Sequence, residues 1–216
     1  GQVWLATGSD LGGSLRTPAS FCSVVGLRPS PGRVPRNARL PAFDTLWVEG
    51  PMGRNIADVA LILDGGSGHS PGDPLSFDSA GPSFSQALSG AALPRQVAFS
   101  PDLGVVPMEP EVAEICAGAA EGFAAIGATV CRDTPDFSGA IEAFQTLRAV
   151  LIALMMEDLL EAHREQIAPE IVWNIEKGLA VSNAELLEAE RVRWRLAQDV
   201  TAFFEQYDLL LCPTVS

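Results

Sequence analysis

The chain is almost without lysine: Lys177 is the only one, and every other basic residue is an arginine. Asp and Glu number 27 against 14 Lys and Arg, which leaves a formal net charge of −13. That balance excludes an electrostatic hold on nucleic acid or on an anionic membrane, since both need clustered cations. Histidine is as scarce. His69 lies beside a Gly-rich turn and His163 in a charged helical run, so neither has a second ligand at metal spacing and both read as surface residues. Four cysteines, Cys22, Cys116, Cys131 and Cys212, lie far apart with no CxxC pair, which predicts buried thiols in a reducing compartment and not a disulfide framework. Long apolar runs are also missing. The longest, Val150 to Met156, falls far short of the roughly 20 residues a membrane span needs, and no charged start precedes a signal-like run. These absences make a cytoplasmic location and small-molecule substrates the expected reading.

Apolar material is plentiful: 47% of the 216 residues are hydrophobic and 19% charged, enough for a large core and too little charge for disorder. The opening run Gly1 to Thr7 predicts a short buried strand followed at once by a Gly and Ser cluster, and Asp208 to Thr214 predicts a buried strand running into Pro213. Both ends read as cut from something larger. Ile56, Val59, Ala60 and Leu63 recur at helical spacing within Asn55 to Leu63, with Gly65-Gly66 as a stop. Residues 67–94 are rich in Ser, Gly, Pro and Asp, and predict a surface loop with a short helix around Phe84 to Leu88. Gln96 to Ser100, Glu111 to Ile126 and Thr129 to Cys131 read as strand, helix and strand, a βαβ unit whose strands run parallel. Helices then cover Ser138 to His163, Pro169 to Leu179 and Ala184 to Tyr207, with Ser182 and Glu185 matching a capping box. No repeat or low-complexity linker divides the chain, so residues 1–216 read as one α/β domain, a sheet covered by helices.

Chemistry is concentrated in Gly8-Ser9-Asp10-Leu11-Gly12-Gly13-Ser14-Leu15-Arg16-Thr17-Pro18-Ala19, where a serine follows two glycines at a loop-to-helix junction. Without side chains at Gly12 and Gly13, successive N–H groups can turn toward one oxyanion, and Ser14 is then placed to attack the carbonyl that becomes it. A helix starting near Pro18 would aim its positive end at the developing charge. Gly-Gly-Ser is also an ordinary turn sequence, so spacing alone leaves a plain turn open. A phosphate-binding loop is a poor alternative, because the Gly, Lys and Ser/Thr arrangement it needs is absent.

The whole run from Gly8 to Val34, GSDLGGSLRTPASFCSVVGLRPSPGRV, closely resembles the signature segment of the amidase signature family. Similarity continues in Gly50-Pro51-Met52-Gly53-Arg54 and in Tyr207 to Thr214. The resemblance implies an α/β/α sandwich with a mixed central β-sheet covered by helices on both faces. It also implies a Ser-Ser-Lys triad with Ser14 as nucleophile, and backbone N–H groups of Leu11, Gly12, Gly13 and Ser14 around the oxyanion. In the family the bridging serine and the lysine lie upstream of the signature, so both are expected outside this chain, which also lacks a C-terminal part. Lys177, after Glu176 in a charged helical stretch, is not expected to stand in for that lysine. Thr17 falls where the family can present a side chain to the acyl pocket, and Ser23 where it often has Gly. Asp10 and Arg16 are expected to brace the turn and each other, ahead of touching substrate.

The implied reaction is hydrolysis of a carboxylic amide to acid plus ammonia or amine through an acyl-serine. It requires no metal and no organic cofactor. The partner is a small-molecule amide, without direct nucleic acid or membrane contact, and a homodimer is an admissible assembly. Two further readings stay open: a glutamine-hydrolysing amidotransferase subunit that serves a partner protein acting on a charged tRNA, and a noncatalytic interaction module that keeps the fold. The tract from Phe144 through Met155-Met156 reads first as core and second as an acyl channel. Trp173 and Trp194 read first as core or interface packing.

Overall fold

In a computed structural model describing residues 2–36 and 41–215, the first strand, β1 (Leu5–Asp10), does not stop at the Gly and Ser cluster but runs through it to Asp10. A six-residue helix, α1 (Arg16–Phe21), follows, then a short strand β2 (Val25–Gly26) and a longer one, β3 (Val48–Gly53). β3 pairs antiparallel with both β1 and β2 in the order β1-β3-β2. Neither β2 nor β3 was expected from sequence, because Gly50, Pro51 and Gly53 suppress the usual strand signal.

The glycines of this sheet have a steric purpose. A Cβ at Gly50 would lie 2.6 Å from Leu15 Cδ1, and one at Gly26 would lie 2.4 Å from the Leu15 carbonyl oxygen. The segment entering α1 therefore rests directly on the sheet backbone, with Leu15 fully buried. Farther along the chain, α2 (Ile56–Gly66) packs its Asp58 and Val59 against Gly53. Asn55 caps α2 by accepting the Asp58 N–H at 2.9 Å. Val59, Ala60 and Leu63 are buried as the spacing predicts, whereas Ile56 is exposed. The predicted short helix is α3 (Phe84–Ala87), which opens with a Ser83/Gln86 capping box.

The described residues divide into two compact units, one running to Ala92 together with Val215 and one from Leu93 to Thr214. In the second, β4 (Gln96–Phe99), α4 (Pro110–Ala125) and β5 (Thr129–Arg132) form the expected parallel βαβ unit. After them come three long helices, α5 (Ala140–His163), α6 (Pro169–Leu179) and α7 (Asn183–Phe203). The last strand, β6 (Leu209–Leu211), adds parallel to the other side of β4, giving the order β5-β4-β6. Asp208 seats it by accepting the N–H groups of Arg95 at 2.7 Å and Gln96 at 2.9 Å. Val97 and Ala98, on the central strand, are fully buried.

Several residues differ from expectation. Cys22 and Cys212 are exposed, and only Cys116 and Cys131 are half-buried, so the four do not form the set of buried thiols read from their spacing. Trp173 and Trp194 are 56% and 68% exposed and take no place in the core. Leu147, Ala149, Leu151 and Ala153 of α5 are buried, with Met155 and Met156 half-buried, so the tract expected to be core is largely so. Among the described residues no helix is long and apolar enough to cross a membrane.

α5 and α6 approach so closely that a Cβ at Gly178 would lie 2.0 Å from the Ala149 carbonyl oxygen and 2.7 Å from Ala153 Cβ. In an exposed helix interior Gly→Ala stabilises by about 1 kcal/mol, but here the backbone of α5 would have to move. Gly178→Ala is expected to destabilise by about 1–3 kcal/mol in urea unfolding; a gain in stability would show that the helices have room between them.

Candidate active site

Asp10 ends β1 opposite Val48 of β3 and is completely buried. A carboxylate in that position needs donors on every lone pair, and the following turn supplies them. Oδ1 accepts the Gly13 N–H at 2.8 Å and Arg16 Nη2 at 2.9 Å. Oδ2 accepts the Leu15 N–H at 3.2 Å and Arg16 Nε at 2.9 Å. Arg16 thus grips the carboxylate with both arms of its fork. A second guanidinium stands close, with Arg28 Nε at 3.8 Å from Oδ1. Burial pushes the Asp10 carboxyl up, but the Arg16 hydrogen bond, the Gly13 N–H, the Arg16 charge and the Leu15 N–H outweigh it and hold the group at about 2. Burial likewise lowers the Arg28 guanidinium from its ordinary value, and the negative charge of Asp10 opposes that.

This hub sets the shape of residues 11–14. Gly13 has φ +108°, a region that L side chains rarely adopt, and a Cβ there would lie 2.8 Å from Thr17 Oγ1. Its carbonyl accepts the Thr17 N–H at 2.7 Å. Gly13 and Leu15 are both buried, while Ser14 between them is exposed. The turn is therefore anchored on either side of the serine that it presents. Thr17 is half-buried, with its side chain over Gly13.

The structure brings Asp10, Gly13, Arg16 and Thr17 together around Ser14 but treats the four backbone donors unequally. Gly13 gives its N–H to Asp10. Among the described residues no group accepts the N–H of Leu11, Gly12 or Ser14. The helix that follows is only six residues long, and the Leu15 N–H at its start is spent on Asp10, so its dipole adds little. Lys177 lies on α6, its ammonium 5.1 Å from the centroid of the Trp173 ring.

Reading the sequence missed Arg28 and Arg36. Both lie in segments without periodicity, where neither the half-buried Arg28 nor the buried Arg36 leaves a pattern. Arg28 Nη2 donates to the Leu46 carbonyl at 2.9 Å. Arg36, 6% exposed, donates to Asp44 at 3.1 Å and to the Trp47 carbonyl at 3.0 Å, while its own N–H reaches Asp73 at 2.9 Å. Together they fix the strap of residues 44–47 that leads into β3. The one signal available was composition: arginines recurring in a Gly and Pro-rich stretch that is otherwise poor in charge.

The sequence profile of the Amidase family matches residues 1–216, and the chain belongs to that family. It is 32% identical over 214 residues to an acylamidase of Rhodococcus erythropolis, covering 98% of this chain and 45% of that protein. A glutamyl-tRNA(Gln) amidotransferase subunit from Moorella thermoacetica is 34% identical over 239 residues, covering 99% of this chain and 49% of its own length. The chain thus spans about half the length of these curated relatives. Its fold matches that of a bacterial aryl acylamidase of the amidase signature family with a TM-score of 0.87 at 26% identity, over 97% of this chain and 45% of the other. The α/β class and the family fold are thereby established.

Because the folded Asp10 carboxyl titrates at about 2, below its ordinary 3.8, its ionisation stabilises the fold fully above about pH 4. That contribution, about 2 kcal/mol, is lost as pH falls through 2. Asp10→Asn, which removes the carboxylate charge that Arg16 grips and sets an amide NH2 against an N–H donor, is expected to destabilise by about 3 kcal/mol at neutral pH. The gap to wild type should shrink between about pH 4 and pH 2 in urea unfolding. A gap independent of pH over that range would mean the charge of Asp10 is not what holds the turn.

Proposed function

We propose that Ser14 is the nucleophile of an amide hydrolase. Its Oγ forms a bond to the carbonyl carbon of a small-molecule carboxylic amide, and the C–N bond then breaks to leave an acyl-serine. The proton from Ser14 passes to a bridging serine and a neutral lysine, and returns to the departing nitrogen so that ammonia or an amine leaves uncharged. Water then gives a proton to the same relay and attacks the acyl carbon, the bond from that carbon to Ser14 Oγ breaks, Oγ regains a proton from the relay, and the acid is released. Neither relay residue maps onto residues 1–216, and we take both from a preceding segment of a longer protein, of which this chain forms part of one catalytic domain. No cofactor enters the chemistry, and the reaction is assigned to the cytoplasm.

The observation that carries this reading is the exposed Ser14 between buried Gly13 and Leu15. In the same turn the Leu11, Gly12 and Ser14 N–H groups have no acceptor among the described residues. They are the donors assigned to the oxyanion, with Gly13 keeping the turn in shape through Asp10. The similarity to the Rhodococcus acylamidase over 98% of this chain supports a simple amide substrate. The 34% identity to the Moorella amidotransferase protein supports a second reading, glutamine hydrolysis that delivers ammonia to a partner. The two separate on one comparison: an amidase hydrolyses a simple amide alone, while the amidotransferase component releases ammonia from glutamine and depends on its partner for full rate.

Reacting the full-length protein with a fluorophosphonate and mapping the adduct by mass spectrometry is expected to place it on Ser14. Ser14→Ala should abolish both labelling and amide turnover with folding intact, and retained turnover would exclude Ser14. Gly13→Val, strained by the positive φ and driven into Thr17, should lower turnover by roughly a hundredfold or more. A folded Val variant with wild-type turnover would remove the turn from the mechanism.

A further inference from the structure

We infer that Arg28 is a positioning residue for Ser14, a second guanidinium that acts through the Asp10 carboxylate to hold the nucleophile turn. The inference rests on Ser14 being the nucleophile. Arg28 Nε stands 3.8 Å from Oδ1 of Asp10. That same oxygen accepts the N–H of Gly13, the residue before Ser14. The other arm of Arg28 holds the Leu46 carbonyl at 2.9 Å. Leu46 belongs to the strap where Asp44 accepts the N–H groups of Leu46 at 3.1 Å and Trp47 at 2.9 Å. The strap runs straight into Val48, the cross-strand partner of Asp10. One planar cation therefore ties the turn that carries Ser14 to the strand that flanks it.

Arg16 already supplies hydrogen bonds to Asp10, so what Arg28 adds is charge from a less exposed position. The Arg16 side chain is 48% exposed and that of Arg28 28%, so water and salt screen Arg16 more strongly. The charged groups acting on Arg28 are Asp10 and Asp44, which favour its cation, and Arg16, which opposes it. With Arg28 neutralised, Asp10 keeps one exposed counter-charge, and the Gly13 N–H is held by a weaker acceptor.

The test is the rate of fluorophosphonate labelling at Ser14 in the full-length protein. Arg28→Gln keeps a donor for the Leu46 carbonyl but removes the charge, and is expected to label about tenfold more slowly or worse at neutral pH. Arg28→Lys is expected to recover most of that loss. Its rate relative to wild type should then fall as pH rises through the lysine range, about 10–11, where lysine loses its proton and arginine does not. A merely space-filling Arg28 would give no such pH dependence. Wild-type labelling in a folded Arg28→Gln, or a Lys-to-wild-type ratio that stays flat through that range, would overturn the inference. If Arg28→Gln fails to fold, the pH dependence of Arg28→Lys decides alone. Absence of Ser14 labelling in the wild-type protein would instead overturn the nucleophile assignment beneath it.

Discussion

A single buried carboxylate organises the turn that exposes Ser14. Asp10 sits where β1 ends, without access to water, and an ion stripped of water there costs several kcal/mol unless donors replace the lost hydration. The donors within reach are the backbone N–H groups of the residues that follow and the guanidinium of Arg16. The chain can supply them only by doubling back over the strand end. The exposed position of Ser14 is a consequence: it lies between Gly13 and Leu15, both of which give their N–H to Asp10. A buried aspartate thus fixes the residues on either side of Ser14 and with them its exposed position.

Doubling back needs room, and the sheet provides it by withholding side chains. Gly26 and Gly50 come from two neighbouring strands and leave space where any Cβ would collide with Leu15. Leu15 then descends onto the backbone itself and becomes one of the largest fully buried side chains of the protein. Electrostatics and packing therefore act on the two residues that flank Ser14, the carboxylate drawing Gly13 inward and the sheet floor receiving Leu15. Close-packed interiors transmit small displacements, so a shift of the strand floor would move Leu15, the residue next to Ser14. The arginine-held strap of residues 44–47 leads into the central strand of that floor.

How much of this was legible beforehand depended on whether an element stabilises itself locally. α2, α4, α6 and the capped start of α7 carry their own signals, such as the Asn55 cap and the Ser182/Glu185 box, and form within a few residues of their predicted bounds. β2 and β3 carry almost none. Their glycines answer to Leu15, a contact that no local pattern encodes, and Pro51 reads as a breaker although it is buried in the central strand. The same reasoning covers the site. The Gly-Gly-Ser turn and its resemblance were visible, and Asp10 and Arg16 were read as mutual braces, which is how their side chains pair. That the Gly13 N–H is spent on Asp10 and that Arg28 joins the hub are facts of tertiary approach. Cysteine burial was misread for a related reason: absence of pairing says nothing about exposure, and Cys22 simply follows the last turn of a short helix whose end faces outward.

The hub also constrains where the reaction's base can come from. A carboxylate beside a serine invites the role of general base, but Asp10 is unfit for it. With a folded value of about 2 it binds a proton far too weakly to draw one from a hydroxyl at neutral pH. Its oxygens are also occupied by the donors that maintain the turn. Protonating it would weaken its hold on Gly13 and Arg16 at the moment when, in the proposed mechanism, the turn would hold an oxyanion. The features that make Asp10 a good anchor therefore exclude it as a base, and proton transfer has to be done by a group with a lone pair to spare. A neutral amine in a buried setting meets that requirement. The electrostatics of Asp10 are thus compatible with the proposed division of labour, in which this turn would present the nucleophile and a residue other than Asp10 would handle its proton.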